Sequence, residues 1–285
     1  MPELPEVETA RRQLDRWLAG RVLEQVRGVD PCVIRTRAST SMKSADPNGI
    51  SWLARWVGSK MEATARHGKR IGLKVGALGA LHHLGMTGRW ERHEVDAPIP
   101  RHGRLGLVVA GGGCVWFIDT RRFGWVVPCE PQQLHDKLRE GHGPDVWDDP
   151  LDGPGLAARF RTRRPIKTAL LDQKCVAGMG NIHAVESLWY AGIDPRTPAD
   201  RMTDLQWATL AVEMHRQMAR TIEAMDGEKV VYVTDRKSSN PFEVYGRASD
   251  PCPRCGDSIE RFWLSKRSTF ACPTCQPRDE ASERG

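Results

Sequence analysis

Four cysteines near the C-terminus constrain this chain more than any other feature. Cys252-Pro-Arg-Cys255 and Cys272-Pro-Thr-Cys275 form two C-x2-C pairs separated by 16 residues. Zinc ribbons use that spacing: four thiolates saturate a tetrahedral Zn2+ and pin a short hairpin that has almost no core of its own. Two disulfides or a redox pair are the competing readings. The other cysteines, Cys32, Cys114, Cys129 and Cys175, are scattered, and the opening Met-Pro-Glu-Leu-Pro-Glu has neither a basic nor an apolar signal region. Scattered thiols without a secretory signal point to a reducing cytoplasm, where clustered cysteines hold metal more often than disulfides. One structural zinc on Cys252, Cys255, Cys272 and Cys275 is therefore expected. Four thiolates leave no open position for water, which argues against hydrolytic zinc chemistry.

The 285 residues suit one large or two ordinary domains. Glycines interrupt the longest apolar stretches, Val75 to Gly88 and Leu105 to Ile118, and neither reaches the ~20 residues of a spanning helix, so no membrane partner is expected. Lys and Arg outnumber Asp and Glu by 42 − 36 = 6. That bias permits a polyanionic partner without establishing one.

Residues 5–20 read as a helix, with Pro5 in its first turn, Val7, Ala10, Leu14, Trp17 and Leu18 at helical spacing, and Gly20 as a stop. From Val22 to about Val127 the pattern is short strands with Gly-rich turns, including a hairpin of Leu105–Ala110 with Cys114–Ile118. Turn formers crowd 139–157, which reads as a linker. Helical patterns follow at 165–175, from Asn181 as a cap to Gly192, and from a Thr203/Gln206 capping box through Leu210, Met214, Met218 and Ile222. The expected fold class is α+β in two domains: an N-terminal β-sandwich flanked by helices (1–138), then a helical domain (158–243) with a four-cysteine hairpin (244–276) and a tail (277–285).

Two further segments carry chemistry. In Lys174-Cys-Val-Ala-Gly-Met-Gly-Asn181 the glycines allow close backbone approach, and the helix opening at Asn181 offers N–H groups to an anion. An ordinary tight helix connection is the competing reading. The residues after Met1 are Pro2 and Glu3. Removal of Met1 would expose a secondary amine, and an α-amino group (pKa roughly 8) is partly free base near neutrality, unlike lysine. Such an amine can attack a sugar carbon to give a cationic iminium, with Glu3 moving protons. Otherwise the segment only leads into a helix. In the zinc hairpin, Ser265-Lys266-Arg267-Ser268 would form a basic tip, either a probe of a nucleic-acid groove or a solvated turn.

In order along the chain, Pro-Glu-Leu-Pro-Glu, Asn181-Ile-His-Ala-Val-Glu-Ser-Leu188, Val244-Tyr-Gly-Arg247 and the four-cysteine hairpin resemble the formamidopyrimidine-DNA glycosylase/endonuclease VIII family over nearly the whole chain. The resemblance implies a sandwich, a helix-two-turn-helix and a zinc finger. It also implies a bifunctional glycosylase/lyase acting, as a monomer, on damaged double-stranded DNA. By that resemblance Pro2 is the nucleophile and Glu3 its acid/base partner. Lys69, in Arg66-His-Gly-Lys-Arg70, and Arg267 match further active-site positions that contact phosphates. His83, Lys167 and Asn181 match backbone contacts. Met86, Arg121 and Phe123 match the residues that fill the gap left by an extruded nucleotide.

Pro-Glu-Leu-Pro-Glu with Met86, Arg121 and Phe123 is similar to the formamidopyrimidine branch. The Gly227 to Val244 region departs from it. Only 16 residues intervene, with Arg236, Lys237, Ser238 and Ser239 where the family has a Gly-aromatic lesion-capping signature. Ring-opened purines, 8-oxoguanine and, as in endonuclease VIII, oxidised pyrimidines all stay open as substrates. A non-catalytic zinc-finger DNA-binding protein is the reading from another class.

Overall fold

The computed structural model describes residues 2–111, 113–225 and 240–278. Arg236–Ser239 and all of the tail beyond Arg278 lie outside them. The described residues fall into two compact units, one ending at Glu140 and joined by Met225, the other running from Gly141 to Ala224 and again from residue 240.

The first unit opens with α1 (Leu4–Leu18), close to the sequence expectation. Val7, Ala10, Leu14 and Leu18 project at helical spacing and are all buried in the main core. The strands are β1 (Leu23–Arg27), β2 (Ala65–His67), β3 (Arg70–Val75), β4 (Leu78–His83), β5 (Arg89–His93), β6 (Gly103–Val109), β7 (Cys114–Ile118) and β8 (Trp125–Cys129). They form two antiparallel four-stranded sheets, ordered β1-β6-β7-β5 and β2-β3-β4-β8. Leu107, Val115 and Phe117 of one sheet and Ile71, Leu73 and Val126 of the other belong to one buried cluster, the expected sandwich. The hairpin expected over residues 105–118 is β6–β7. Two short helices, α2 (Gly49–Ala54) and α3 (Leu134–Arg139), flank the sheets.

Two turns in this unit bear on the site. β2 and β3 are joined by Gly68-Lys69 alone, with Gly68 at φ +55°. A positive φ at the first of two loop residues fits a type II′ turn, which only glycine enters readily. At Gly85 (φ +70°) a Cβ would sit 2.4 Å from the Gly124 nitrogen. Only glycine lets the loop after β4 lie against the loop before β8.

The second unit holds α4 (Gly153–Arg159), α5 (Ile166–Ala169), α6 (Asn181–Ala191), α7 (Asp204–Ala224) and the hairpin β9 (Glu260–Leu264) with β10 (Arg267–Ala271). Several sequence expectations change here. The stretch 139–157 is no open linker: Asp145 and Val146 are buried, and Asp152 caps α4 by accepting from the Gly155 N–H at 2.8 Å. The helix expected over 165–175 closes after Ala169, because Asp172 and Gln173 spend their side chains on nearby backbone. α6 ends at left-handed Gly192 as expected, and α7 opens with the Thr203/Gln206 box. Among the described residues no helix is long and apolar enough to cross a membrane.

His82 of β4 is fully buried. It accepts from the Trp90 indole N–H at 3.1 Å, and its Nδ1 lies 3.0 Å from the Trp125 carbonyl. Burial pushes its pKa down to about 4. Above the ordinary value of 6.5 neither folded nor unfolded chain binds this proton. As pH falls below that, the unfolded chain takes up a proton that the folded chain accepts only near 4. Urea denaturation should show this site costing about 3 kcal/mol of stability across that window. A His82→Gln variant should lack that part of the pH dependence.

Candidate functional site

In the first unit Pro2 is buried and Glu3 is only 3% exposed, at the N-cap of α1. Glu3 and Glu6 close a capping box, the Glu3 N–H donating to Glu6 Oε2 at 2.8 Å. A reciprocal cap fixes the chain that carries Pro2 in the positive field of a helix N-terminus. One turn on, Glu8 ties α1 to the strand bearing the Lys69 turn. It pairs with Arg66 at 3.0 Å, and Arg66 in turn donates to the Gly68 carbonyl at 3.1 Å. Burial pushes the Glu8 carboxyl up, but Arg11, Arg12 and Arg66 outweigh it and hold its pKa below the ordinary value. Lys69 is 8% exposed, so this hairpin tip faces protein rather than open solvent.

His83, Met86, Arg121 and Phe123 sit in the same unit. His83 stacks on Trp125 with ring centres 5.4 Å apart, and its Nδ1 accepts from the Gly85 N–H at 2.9 Å. Arg121 is exposed and its guanidinium lies 4.7 Å over the half-buried Phe123 ring. Met86, also half-buried, is on the neighbouring loop that Gly85 presses against Gly124. Sequence reasoning assigned no role to Asp119, whose carboxylate joins these two loops. Nor did it see Arg35, fully buried, which donates to the Arg122 carbonyl at 2.9 Å. No local pattern marks such residues, because their partners lie far away in sequence.

In the second unit Asn181 is the first residue of α6, not its cap; extended Gly180 is the cap. The Asn181 side chain instead donates from Nδ2 to the Ser268 carbonyl at 3.0 Å, and its buried Oδ1 has no hydrogen-bond partner among the described residues. Gln173 shapes the glycine-rich turn, donating to the Met179 carbonyl at 2.9 Å and accepting from the Gly178 N–H at 3.0 Å. Lys167 on α5 is fully buried. Its neighbour Thr168 places its hydroxyl 3.4 Å from that of Ser265 at the hairpin tip. The tip is tighter than expected. Only Ser265 and Lys266 form it, at φ +48° and +63°, so exposed Arg267 already belongs to β10. Two positive φ values mark a type I′ turn, adopted here by two residues with side chains.

The four cysteine sulfurs lie within 4.8 Å of one another, with 3.9 Å between Cys252 and Cys275 and 3.4 Å between Cys255 and Cys272. Four sulfurs about 2.3 Å from one ion would be about 3.8 Å apart, so the donor set fits tetrahedral zinc. α6 is the floor of this finger: Val185 and Trp189 pack with Ile259, Phe270, Cys252 and Cys272. Arg254 stacks 4.3 Å over Trp189 and donates to its carbonyl, while Gln276 donates to the Ile193 carbonyl at 2.7 Å. Glu186 of the same helix is buried and accepts the N–H groups of Glu243, Val244 and Tyr245. Burial nevertheless raises its pKa. Arg247 holds its own loop through the Phe242 and Asn240 carbonyls.

Sandwich, glycine-turn helix and closed thiolate finger together define a class of zinc-finger nucleic-acid enzymes, and comparison with known proteins narrows it. Residues 1–126 match the formamidopyrimidine-DNA glycosylase N-terminal domain. Residues 143–232 match the H2TH domain of the same enzymes, and 249–278 match a zinc finger found in FPG and IleRS. A formamidopyrimidine-DNA glycosylase of Corynebacterium efficiens is 34% identical over 97% of this chain and 99% of its own length. Lactococcus lactis Fpg (MutM), solved with an N7-benzyl-Fapy-dG DNA, is 27% identical with a TM-score of 0.83, covering 97% of this chain and 100% of that one. The same protein with an oxidised-pyrimidine DNA is 28% identical at the same TM-score and coverage.

The chain belongs to the formamidopyrimidine-DNA glycosylase family, and its four cysteines hold one structural zinc ion. Replacing one ligand, Cys255→Ser, should abolish zinc binding and expose the finger's apolar floor. Metal analysis and limited proteolysis check this: cleavage should move into residues 249–278 while α7 stays protected.

Proposed function

We propose that this chain is a bifunctional DNA glycosylase and abasic-site lyase of base excision repair that removes oxidised bases, ring-opened purines foremost. One observation carries the reading: Glu3 is a buried carboxylate held in a helix-terminal cap, and it follows in the chain directly after Pro2, whose nitrogen loss of Met1 would free. A pure binding protein has no use for that pair.

A base within a duplex hides its sugar carbon, so the nucleotide is flipped out at a cost of a few kcal/mol. The Pro2 amine attacks C1′; the C1′–N bond forms and the glycosidic bond breaks. The base leaves with a proton delivered through Glu3. The proton lost by the amine passes to O4′ as the C1′–O4′ bond breaks, which opens the sugar to a cationic iminium, and the iminium draws electrons from the C2′–H bond. Loss of that proton expels the 3′ phosphate, a second elimination expels the 5′ phosphate, and hydrolysis of the iminium returns the amine. In this reading Lys69 contacts a phosphate. Met86, Arg121 and Phe123 fill the vacated stack. His83, Lys167, Asn181 and Arg267 contact the backbone, and such contacts position without reading sequence. Zinc takes no part in the steps; it shapes the finger that presents Arg267. We take the enzyme to act as a monomer in a reducing cytoplasm, on nucleoid DNA.

Oxidised pyrimidines are a second substrate reading, favoured by the Lactococcus lactis protein having been solved on such DNA. Initial rates on a panel of duplexes separate the two: ring-opened guanine should be excised fastest.

Borohydride reduction should crosslink the protein to abasic-site DNA through Pro2, and blocked removal of Met1 should abolish the adduct. Peptide mapping to a lysine instead would sink the Pro2 assignment. A Glu3→Gln variant should lose base excision yet still be trapped on preformed abasic DNA. For Arg267→Ala, the log–log slope of binding against salt should become shallower by about 0.9, the share of one phosphate contact.

A further inference from the structure

Asp119 lies just beyond the end of β7 and is fully buried, outside every role assigned so far. Both its oxygens are engaged by the two loops that carry the gap-filling side chains. Oδ1 accepts from the Thr87 hydroxyl at 2.5 Å and from the Arg121 N–H at 3.1 Å. Oδ2 accepts from the Gly124 N–H at 2.7 Å. The Thr87 oxygen also accepts from the Arg121 N–H, at 3.2 Å, which closes a three-membered ring of contacts. Thr87 follows Met86 directly, and Arg121 and Gly124 bracket Phe123. One carboxylate thus fastens segments that are more than 30 residues apart. Arg104 grips the Asp119 backbone carbonyl at 2.8 Å, so the anchor is itself held.

Three donors converge on the two oxygens of Asp119, and both oxygens act as acceptors. An amide of the same shape would turn an NH2 group toward either the Gly124 N–H or the Thr87–Arg121 pair, donor against donor.

We propose that Asp119 is a positioning residue for base extrusion: it locks the Met86 loop to the Arg121–Phe123 loop, so that the three side chains enter the duplex as a single preformed wedge. This rests on the gap-filling reading of those three residues. A wedge of two independently moving loops would have to be ordered at each encounter, at an entropic cost met before any base is displaced. The Asp119–Thr87 clasp removes that cost in advance. Its loss should therefore be felt where a base must be displaced and not at the iminium chemistry.

The test uses the full chain with two variants, Asp119→Asn and the near-isosteric Thr87→Val, and their double mutant. With 2-aminopurine opposite the lesion, the wild type should give the fluorescence rise of an unstacked base on binding. Each variant should give a much smaller rise and excise the lesion from duplex about tenfold more slowly, the equivalent of one charge-assisted hydrogen bond. Borohydride trapping on single-stranded abasic DNA, where no stack has to be opened, should stay within about twofold of wild type. The double mutant should be no worse than the worse single, because both changes break one clasp. If Asp119→Asn does not fold, Thr87→Val decides alone. A Thr87→Val protein with the full fluorescence rise and duplex rate overturns the proposal. So does one that loses single-stranded trapping to the same degree as duplex excision. Wild-type protein that forms no trapped adduct at all would instead defeat the glycosylase reading.

Discussion

The seat of the zinc hairpin on α6 is the constraint on which the second unit depends. A ribbon of two five-residue strands cannot bury a core by itself. Zinc ties its ends, but α6 supplies the apolar floor through Val185 and Trp189. Polar clamps then set the register: Arg254 grips the Trp189 carbonyl in the last turn of the helix, Gln276 grips the Ile193 carbonyl just beyond it, and Asn181 grips the hairpin from the N-terminal end. The helix end that would face an anion and the strand that bears Arg267 are therefore parts of one body. Glu186 adds a third partner, the 243–245 segment, through three backbone N–H groups.

The first unit applies the same economy to its N-terminus. A chain end frays unless something orders it. Here Glu3 and Glu6 cap α1, apolar residues of α1 enter the sandwich core, and Glu8 reaches Arg66 behind the Lys69 turn. Such ordering would serve the terminal nucleophile proposed above, since loose placement forfeits much of the gain from proximity.

Local signals in the sequence were readable where the physics is local. Cysteine spacing announced the zinc site, helical spacing announced α1 and α7, and Thr203 with Gln206 announced a helix start that is present as written. The sandwich followed from short strands between glycine turns. What stayed hidden depends on partners distant in the chain. Asn181 is the type of residue that caps helices, yet its amide is drawn to Ser268, 87 residues away. Leu170 and Leu171 continue a helical pattern, but Asp172 and Gln173 fold the backbone back on itself. Asp119, Arg35 and Glu186 look like ordinary surface charges until the fold brings backbone groups to them.

The left-handed pair Ser265–Lys266 has one more consequence. Non-glycine residues in that conformation cost of order 1 kcal/mol each, and the finger retains two of them. In return the chain reverses in the fewest residues available to a hairpin, and Arg267 falls inside the ladder, paired with Leu264, rather than on a floppy cap. Its direction is then dictated by strand alternation. An arginine presented this way has already surrendered its backbone freedom before any polyanion arrives, so the energy of meeting one is left almost wholly to counterion release.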